Sequence, residues 1–206
     1  MENLEKDQAG VDIRQSVNKA ESFLEQNKKN LTIGLIALVV IVGGWFAYSQ
    51  LIQGPKEKEA ANALFHAERW FARDSFNLVI NGNGTFDGAV AVADNYGSTK
   101  SGSIAAYMAG IAYYKTGDFQ NAITYLEKAD LDDHILKTLA LGTLGDAHAE
   151  LNDLEKAVDY YNKAAKADNN DLTTPFYLKK AGMVYESLNQ HDKAYAAYKN
   201  INDNYK

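Results

Sequence analysis

Three stretches of this chain align on one another and decide its fold: residues 107–129, YMAGIAYYKTGDFQNAITYLEKA, residues 141–164, LGTLGDAHAELNDLEKAVDYYNKA, and residues 177–201, YLKKAGMVYESLNQHDKAYAAYKNI. Their glycines, Gly110, Gly145 and Gly182, are spaced 35 and then 37 residues apart. An alanine follows each glycine twelve residues later, at positions 122, 157 and 194. A repeat of this length with small residues at fixed places predicts a stack of closely crossing helix pairs.

The turns inside the three helix pairs are visible as well. The segments KTGDF, ELNDL and LNQHD place Gly117, Asn152 and Asn189 between the two helices of each pair. Glycine and asparagine are the residues that adopt the left-handed conformation with which a helix commonly ends. The sequence therefore predicts an all-α helical solenoid whose helix pairs are joined by short turns.

These repeats resemble the tetratricopeptide repeat family over residues 103–206, and we assign three repeats to residues 99–206. The resemblance implies a concave groove that is lined by the first helix of each repeat and holds peptides or helices of partner proteins. Projected onto this register, the groove-facing candidates are Tyr107, Ile111, Tyr114, Asp146, Glu150, Phe176, Lys179, Met183 and Glu186. Aromatic at one end and acidic at the other, this set suits an apolar or a basic extended segment. The alternative is that the aromatic side chains pack on a neighbouring helix of the same chain.

An apolar run precedes the repeats: LTIGLIALVVIVGGWFAYSQLI, residues 31–52. As a helix this run is about 33 Å long, close to the roughly 30 Å hydrocarbon thickness of a bilayer. Residues 33–48 carry no charge, and Trp45 and Tyr48 lie near the end, where aromatic rings prefer the membrane interface. We predict an uncleaved transmembrane signal-anchor helix. A cleaved signal peptide is disfavoured by the 30-residue polar lead, and a soluble core helix by the absence of charge on every face.

The charges beside the apolar run bear on its orientation. Four basic residues precede it and three follow it: Arg14, Lys19, Lys28 and Lys29, then Lys56, Lys58 and Arg69. The two counts are nearly equal, and the adjacent pair Lys28 and Lys29, together with the outward position of Trp45 and Tyr48, favours a cytoplasmic N-terminus and an exported C-terminal domain. Within the run, Gly43 and Ala47 have the small-xxx-small spacing that lets a second membrane helix approach, although such residues are also simply tolerated in lipid.

Two other segments complete the organisation. Residues 1–30 form a short charged tail, in which the pattern of residues 11–29 is that of a short amphipathic helix. Residues 53–98 contain a linker, QGPKEKEA, and an atypical first helical unit with helical periodicity over residues 57–80. NGNG, residues 81–84, is a turn signal, and a shorter helix is predicted within residues 86–97.

Composition and motifs disfavour several classes of function. The net charge is −6 and no basic face is implied, so we expect no nucleic-acid partner. Cysteine is absent, and the four histidines are dispersed without metal-ligand spacing. Phosphate-binding loops and nucleophile motifs are also absent. We therefore expect no enzymatic activity, catalytic residue, metal, cofactor or small-molecule substrate.

The order of the parts carries a narrower resemblance. The chain is similar in this order to the YfgM-like ancillary subunits of the bacterial Sec translocon: it has a charged tail, one spanning helix, a linker, and an irregular unit that leads into three repeats. Phrases such as TPFYLKKAGMVYESL resemble envelope tetratricopeptide proteins of the Bacteroidota kind. The resemblance implies a single-pass inner-membrane protein, with the lipid bilayer, the SecYEG channel and a PpiD-like periplasmic chaperone as partners. The alternative is a structural assembly factor of another envelope secretion or outer-membrane assembly machine.

Overall fold

The computed structural model describes the backbone of residues 2–205 and the side chains of residues 21, 22 and 24–205. Every regular element in those residues is helical, which confirms the all-α prediction. The chain divides into two compact units, residues 1–53 and residues 54–206.

The first unit is a long helix. Helix α1 spans Glu2–Tyr48, and a π-helical turn, Ser49–Gln53, follows it. Within the helical stretch Leu24–Phe71, an 18-residue window has a mean hydropathy of 2.2 and no buried residue, so the helix is long and apolar enough to cross a membrane. Because no residue of the window is buried, the described structure gives no support to the interpretation as a soluble core helix. The amphipathic pattern predicted for residues 11–29 lies for the most part outside the described side chains.

The π-helical turn has a local cause. Pro55 has no backbone N–H, and its ring collides with the carbonyl group four residues earlier in a regular α-helix. A π-helical turn directly before the proline relieves that conflict. Helix α2 then spans Gly54–Phe71, because proline is tolerated in the first turn of a helix. The proposed linker, residues 53–60, is thus helical from Gly54 onward.

The second unit begins with three helices of unequal length. The periodicity predicted across residues 57–80 is divided between α2 and α3, Phe76–Asn81, because Asp74 adopts a left-handed conformation between them. The predicted NGNG turn is present, with positive φ at Gly82 and Gly84. Helix α4, Ala89–Tyr96, supplies the shorter helix expected after the turn.

Six helices follow in three pairs. They are α5, Lys100–Lys115, with α6, Phe119–Lys128; α7, His134–Glu150, with α8, Leu154–Ala167; and α9, Thr173–Ser187, with α10, His191–Asn204. The turns inside the pairs contain Gly117, Asn152 and Asn189, with φ of 83°, 60° and 57°, which confirms the predicted left-handed residues. Helices α6, α7 and α8 are each preceded by an N-cap aspartate whose side chain accepts a hydrogen bond from the backbone N–H group three residues on: Asp118, Asp133 and Asp153.

The repeated small residues lie where the two helices of a pair cross. A Cβ atom added at Gly145 would lie 2.6 Å from the ring of Tyr161 on α8. Gly110 faces Leu126 and Gly182 faces Tyr198 in the same way, at 2.5 Å. Because each glycine accepts a large side chain of its own second helix, the three pairs share one crossing geometry.

The irregular first helices are joined to the repeats at the beginning of α5. The carboxylate of Glu57 on α2 accepts hydrogen bonds from the backbone N–H groups of Lys100 and Ser101, at 2.7 and 3.0 Å, and from the Ser101 hydroxyl at 2.6 Å. A carboxylate at a helix N-terminus satisfies free N–H groups and favours the helix dipole. One hydrophobic cluster extends from Leu64 on α2 to Tyr125 on α6, so α2–α4 share the core of the first repeat.

His148 on α7 is a buried exception among the repeats, since tyrosines Tyr113 and Tyr185 occupy the corresponding positions three residues after the glycine. Its ring stacks on Tyr160, and Nδ1 lies 3.4 Å from a carboxylate oxygen of Asp153. Its Nε2 is buried without a hydrogen-bond partner among the described residues. Burial lowers the pKa of His148, because protonation would place a second N–H in a site that has no acceptor for it.

We expect the stability of the repeats to fall as the pH decreases from 7 toward 5. Because burial lowers the folded-state pKa of His148 below its unfolded value of about 6.5, the unfolded chain binds the proton first as the pH falls. The stability that the neutral His148 contributes is therefore complete above about pH 6.5 and is lost as the pH falls through the folded pKa. The variant His148→Tyr, which carries the tyrosine of the other two repeats, should lose less stability over this interval. Urea unfolding at several pH values measures it. Equal losses in both proteins would show that His148 does not cause the effect.

Candidate binding groove

The predicted groove residues lie on the first helices of the three repeats, α5, α7 and α9. On α5, Tyr107, Ile111 and Tyr114 are half-buried and pack against the hydrophobic clusters of the first two repeats. On α7, Asp146 is half-buried and Glu150 is exposed. The four candidates on α9 are all exposed: Phe176, Lys179, Met183 and Glu186. The α5 residues thus contribute to the core, and the exposed apolar side chains among these candidates are Phe176 and Met183 on α9.

Asp146 is the electrostatic centre of the candidate groove. Lys180 of the next repeat donates hydrogen bonds to both carboxylate oxygens, at 2.6 and 2.9 Å, and the Tyr161 hydroxyl donates to Oδ1 at 2.6 Å. The ion pair is partly buried, with side-chain exposures of 29% for Lys180 and 22% for Asp146. The charge of Asp146 is therefore neutralised within the chain, and its carboxylate is not free to pair with a basic residue of a partner.

The Lys180 ammonium also lies over two aromatic rings. Its Nζ is 5.0 Å from the ring centroid of Phe176 and 5.5 Å from that of Tyr161. A cation over an aromatic face is attracted by the ring quadrupole. Two rings and one carboxylate thus hold this side chain at the junction of the second and third repeats.

Tyr177 crosses from the third repeat over the second. A Cβ atom at Gly142 on α7 would lie 2.2 Å from the Tyr177 hydroxyl oxygen, so the phenol occupies space that any other residue at Gly142 would fill. The Tyr177 ring stacks on Tyr161 at a centroid distance of 6.5 Å. Electrostatic interactions with Asp146 and with Tyr107 of the first repeat reach the same phenol. Tyr177 therefore packs on the second repeat, and its phenol lies within electrostatic range of Tyr107 on the first.

The surroundings of these phenols shift their ionisation. Burial, with Asp146 and Tyr107 nearby, raises the pKa of Tyr177 to about 12. Burial and the hydrogen bond to Asp146 raise the pKa of Tyr161 far above its usual range. Burial raises the pKa of Tyr114, with Asp146 and Glu150 adding to it. All three phenols are therefore neutral hydroxyl groups at physiological pH.

Sequence reasoning missed Gly142, Tyr161, Tyr177 and Lys180 as groove residues. Gly142 and Asp146 are four residues apart, a spacing that puts them on one face of α7. From that spacing, the sequence could have placed Gly142 on the same face of α7 as the predicted groove residue Asp146. The pairing of Lys180 with Asp146 spans 34 residues, and nothing in the sequence distinguishes Lys180 from its neighbour Lys179 as the partner.

Two of the four histidines pack against aromatic rings, and His134 and His191 are exposed. His66 stacks on Phe86 at a centroid distance of 3.5 Å, and His148 stacks on Tyr160. Within the part of the chain that the structure describes, no group of three or more His, Cys, Asp or Glu side chains is placed to hold a metal ion.

Gly43 and Ala47, the predicted packing residues of the apolar helix, lie on the exposed surface of α1. A Cβ atom added at Gly43 would meet nothing within 4 Å. Their contact with a second membrane helix stays a prediction.

Comparison with known proteins supports the repeat assignment. The tetratricopeptide repeat family model matches residues 107–171. A TPR repeat-containing protein, MJ1428, from Methanocaldococcus jannaschii is 33% identical over 96 residues. That alignment covers 47% of this chain and 16% of the relative, so this chain spans a small part of the relative's length.

The helix pairs, their turns and the family match agree on tetratricopeptide-type repeats, which follow one long apolar helix. Repeats of this type form scaffolds for protein–protein interaction and are generally not enzymes.

Proposed function

We propose that this chain, with its tetratricopeptide-type repeats, is a membrane-anchored scaffold or chaperone-adaptor that associates with the Sec translocon. In this proposal its partners are the SecYEG channel, a PpiD-like periplasmic chaperone and segments of emerging secreted proteins. The observation that carries the proposal is the order of the parts: one exposed apolar helix, then a compact repeat unit with a candidate groove. This order is that of the YfgM-like subunits.

The anchor gives the groove a physical advantage. A binding site tethered to the membrane through a short connection meets membrane-bound partners at an effective concentration in the millimolar range. A groove of modest affinity therefore suffices for partners that emerge at the same membrane. The pair Lys28 and Lys29 before the apolar run supports an N-terminus in the cytoplasm and repeats in the periplasm.

Site-specific photo-crosslinking in intact membranes tests the proposal. We place the photoreactive residue at Val40 in the apolar helix, at Phe176 in the groove, and at Lys163 on α8 as a surface control. We expect crosslinks to a channel subunit from Val40, and crosslinks to the chaperone or to a secreted segment from Phe176. Lys163 should give neither product.

Two results would count against this assignment. Groove crosslinks to another envelope machine, with none from Val40 to the channel, would favour the assembly-factor alternative. A cytoplasmic location of the repeats, shown by a topology reporter at the C-terminal end, would contradict both the translocon assignment and the assembly-factor alternative.

A further inference from the structure

The turn between α3 and α4 contains two Asn–Gly dipeptides in direct succession, Asn81–Gly82 and Asn83–Gly84, and both asparagine side chains are exposed. The side-chain carbonyl carbon of an asparagine is open to attack by the backbone nitrogen of the next residue. A following glycine favours this attack, because it has no Cβ atom to hinder the approach. The two dipeptides are equivalent by composition, but the fold treats their glycine nitrogens differently.

The Gly82 nitrogen is held by the end of α3. Asn81 is the last residue of that helix, and the Gly82 N–H donates a hydrogen bond to the Leu78 carbonyl oxygen at 2.9 Å. Gly82 is buried, and a Cβ atom added there would lie 2.1 Å from the Phe86 carbonyl oxygen. The Asn81 side-chain amide donates to the Asn77 carbonyl oxygen at 3.2 Å. Attack of the Gly82 nitrogen on Asn81 therefore requires the end of α3 to open first.

The Gly84 nitrogen, in contrast, is not held. Gly84 is exposed, and a Cβ atom added there would meet nothing within 4 Å. Its N–H donates no hydrogen bond in the part of the chain that the structure describes. Its φ of 84° lies in the region that glycine adopts without strain. The nitrogen that follows Asn83 is therefore accessible without any unfolding.

Two backbone donors polarise the side-chain carbonyl of Asn83. Its Oδ1 accepts hydrogen bonds from the N–H groups of Thr85 and Phe86, at 3.1 and 2.9 Å. These bonds fold the side chain back over the Gly84 peptide unit. When a nucleophile adds to Cγ, negative charge develops on Oδ1, and donors at that oxygen stabilise the tetrahedral intermediate as an oxyanion hole does. The loop thus combines an accessible nitrogen with an activated carbonyl group.

We propose that Asn83 is a site of spontaneous deamidation, and that the fold directs this modification to Asn83 and away from Asn81. The Gly84 nitrogen loses its proton to solvent and forms a bond to Cγ of Asn83. The Cγ–Nδ2 bond then breaks, and the nitrogen takes up a proton from solvent and leaves as ammonia, which leaves a succinimide ring. Water opens the ring: cleavage at Cγ gives aspartate, and cleavage at the backbone carbonyl carbon gives isoaspartate. No oxidant, reductant or enzyme takes part.

The two products have different effects on the loop. Aspartate at position 83 keeps a side-chain oxygen that accepts the hydrogen bonds of Thr85 and Phe86, and it adds one negative charge. In isoaspartate the main chain runs through the former side chain, so the backbone is longer and these hydrogen bonds are lost. Phe86 stacks on His66 of α2 at a centroid distance of 3.5 Å. Isoaspartate therefore loosens the contact between this loop and α2, whereas aspartate preserves it.

Site-resolved mass spectrometry of the purified full chain in detergent tests this proposal. The protein is kept in mildly alkaline buffer, sampled over several days and digested at acidic pH, where the reaction is slow. Fragment ions separate Asn81 from Asn83 and distinguish isoaspartate from aspartate. We expect deamidation at Asn83 to be faster than at Asn81 by about tenfold or more, because reaction at Asn81 waits for local opening of α3.

The same chain unfolded in guanidinium chloride is the matched control. Both asparagines then precede a glycine in a flexible chain, so their rates should agree within about twofold. The rate at Asn81 should rise on unfolding. The rate at Asn83 should not rise, because unfolding also removes the two donors to its Oδ1. In the folded protein, Asn83→Ser should abolish most of the deamidation, whereas Asn81→Ser should leave it unchanged.

Equal rates at the two asparagines of the folded protein, or a faster reaction at Asn81, would overturn the proposal. A rate at Asn83 that rises severalfold on unfolding would overturn it as well, because the loop would then protect the side chain. Neither result depends on the partner of the repeats, so the translocon assignment is tested separately.

Discussion

Replacing Gly102 by alanine is expected to lower the free energy of unfolding of residues 54–206 by about 2 kcal/mol or more. A Cβ atom at Gly102 on α5 would lie 2.0 Å from the backbone carbonyl oxygen of Tyr96, where α4 ends, and 3.0 Å from the backbone nitrogen of Gly97. Backbone atoms held by neighbouring helices cannot rotate away as a side chain can. The gain in helix propensity, at most about 1 kcal/mol, does not offset the collision.

Gly110→Ala is the matched comparison on the same helix. Its Cβ atom would meet mainly the side chain of Leu126, at 2.5 Å, and that side chain can rearrange in part. Urea unfolding followed by circular dichroism should rank the stabilities as parent, then Gly110→Ala, then Gly102→Ala, with unchanged m values. If Gly102→Ala is as stable as the parent, the close approach of α4 and α5 does not exist in solution.

Paired arginines in the apolar helix are expected to release the protein from the membrane. Ile36→Arg together with Val40→Arg puts two charges on one face near the middle of residues 31–52, where each costs about 2.5–3.5 kcal/mol of insertion free energy. Both side chains are exposed in the structure, with no internal contact to compensate for the change. The full chain should resist extraction by alkaline carbonate, whereas the double variant should appear mainly in the soluble fraction.

Thr32→Arg together with Ser49→Arg controls for the added charge. These two positions lie at the ends of the apolar run, where an arginine reaches the headgroup region at little cost. This variant should stay in the membrane fraction. Membrane retention of the Ile36/Val40 variant at the level of the parent would contradict a spanning helix, since two charges in the hydrocarbon core would then have no effect.

The local parts of the fold were predictable because short-range patterns specify them. The glycine spacing, the left-handed residues Gly117, Asn152 and Asn189, and the turn at residues 81–84 each depend on a few neighbouring residues. The break at Asp74 was not anticipated, because the apolar periodicity continues from α2 into α3. The helical continuation through Pro55 was not anticipated, because Gly54 and Pro55 beside charged residues are typical of a linker.

The candidate groove was only partly predictable. Repeat register alone identified the first helices and the exposed residues Phe176 and Met183. It also suggested an acidic end of the groove around Asp146. The negative charge of Asp146 is largely neutralised there, because Lys180 and Tyr161 donate hydrogen bonds to its carboxylate. Register predicts which face a residue occupies, but it contains no information about which side chains meet across that face.

By itself, the sequence determined the helix pairs, their turns and an uncharged apolar helix, because helix formation and hydrophobicity are properties of contiguous residues. Only the tertiary structure decided that Tyr177 lies over Gly142 and that Lys180 neutralises Asp146. Those contacts join residues about one repeat apart, and they depend on how far each pair rotates against the next. The glycines that pack against Leu126, Tyr161 and Tyr198 fix the crossing inside each pair, whereas contacts between pairs, such as Tyr177 against Gly142, form only once the helices are stacked.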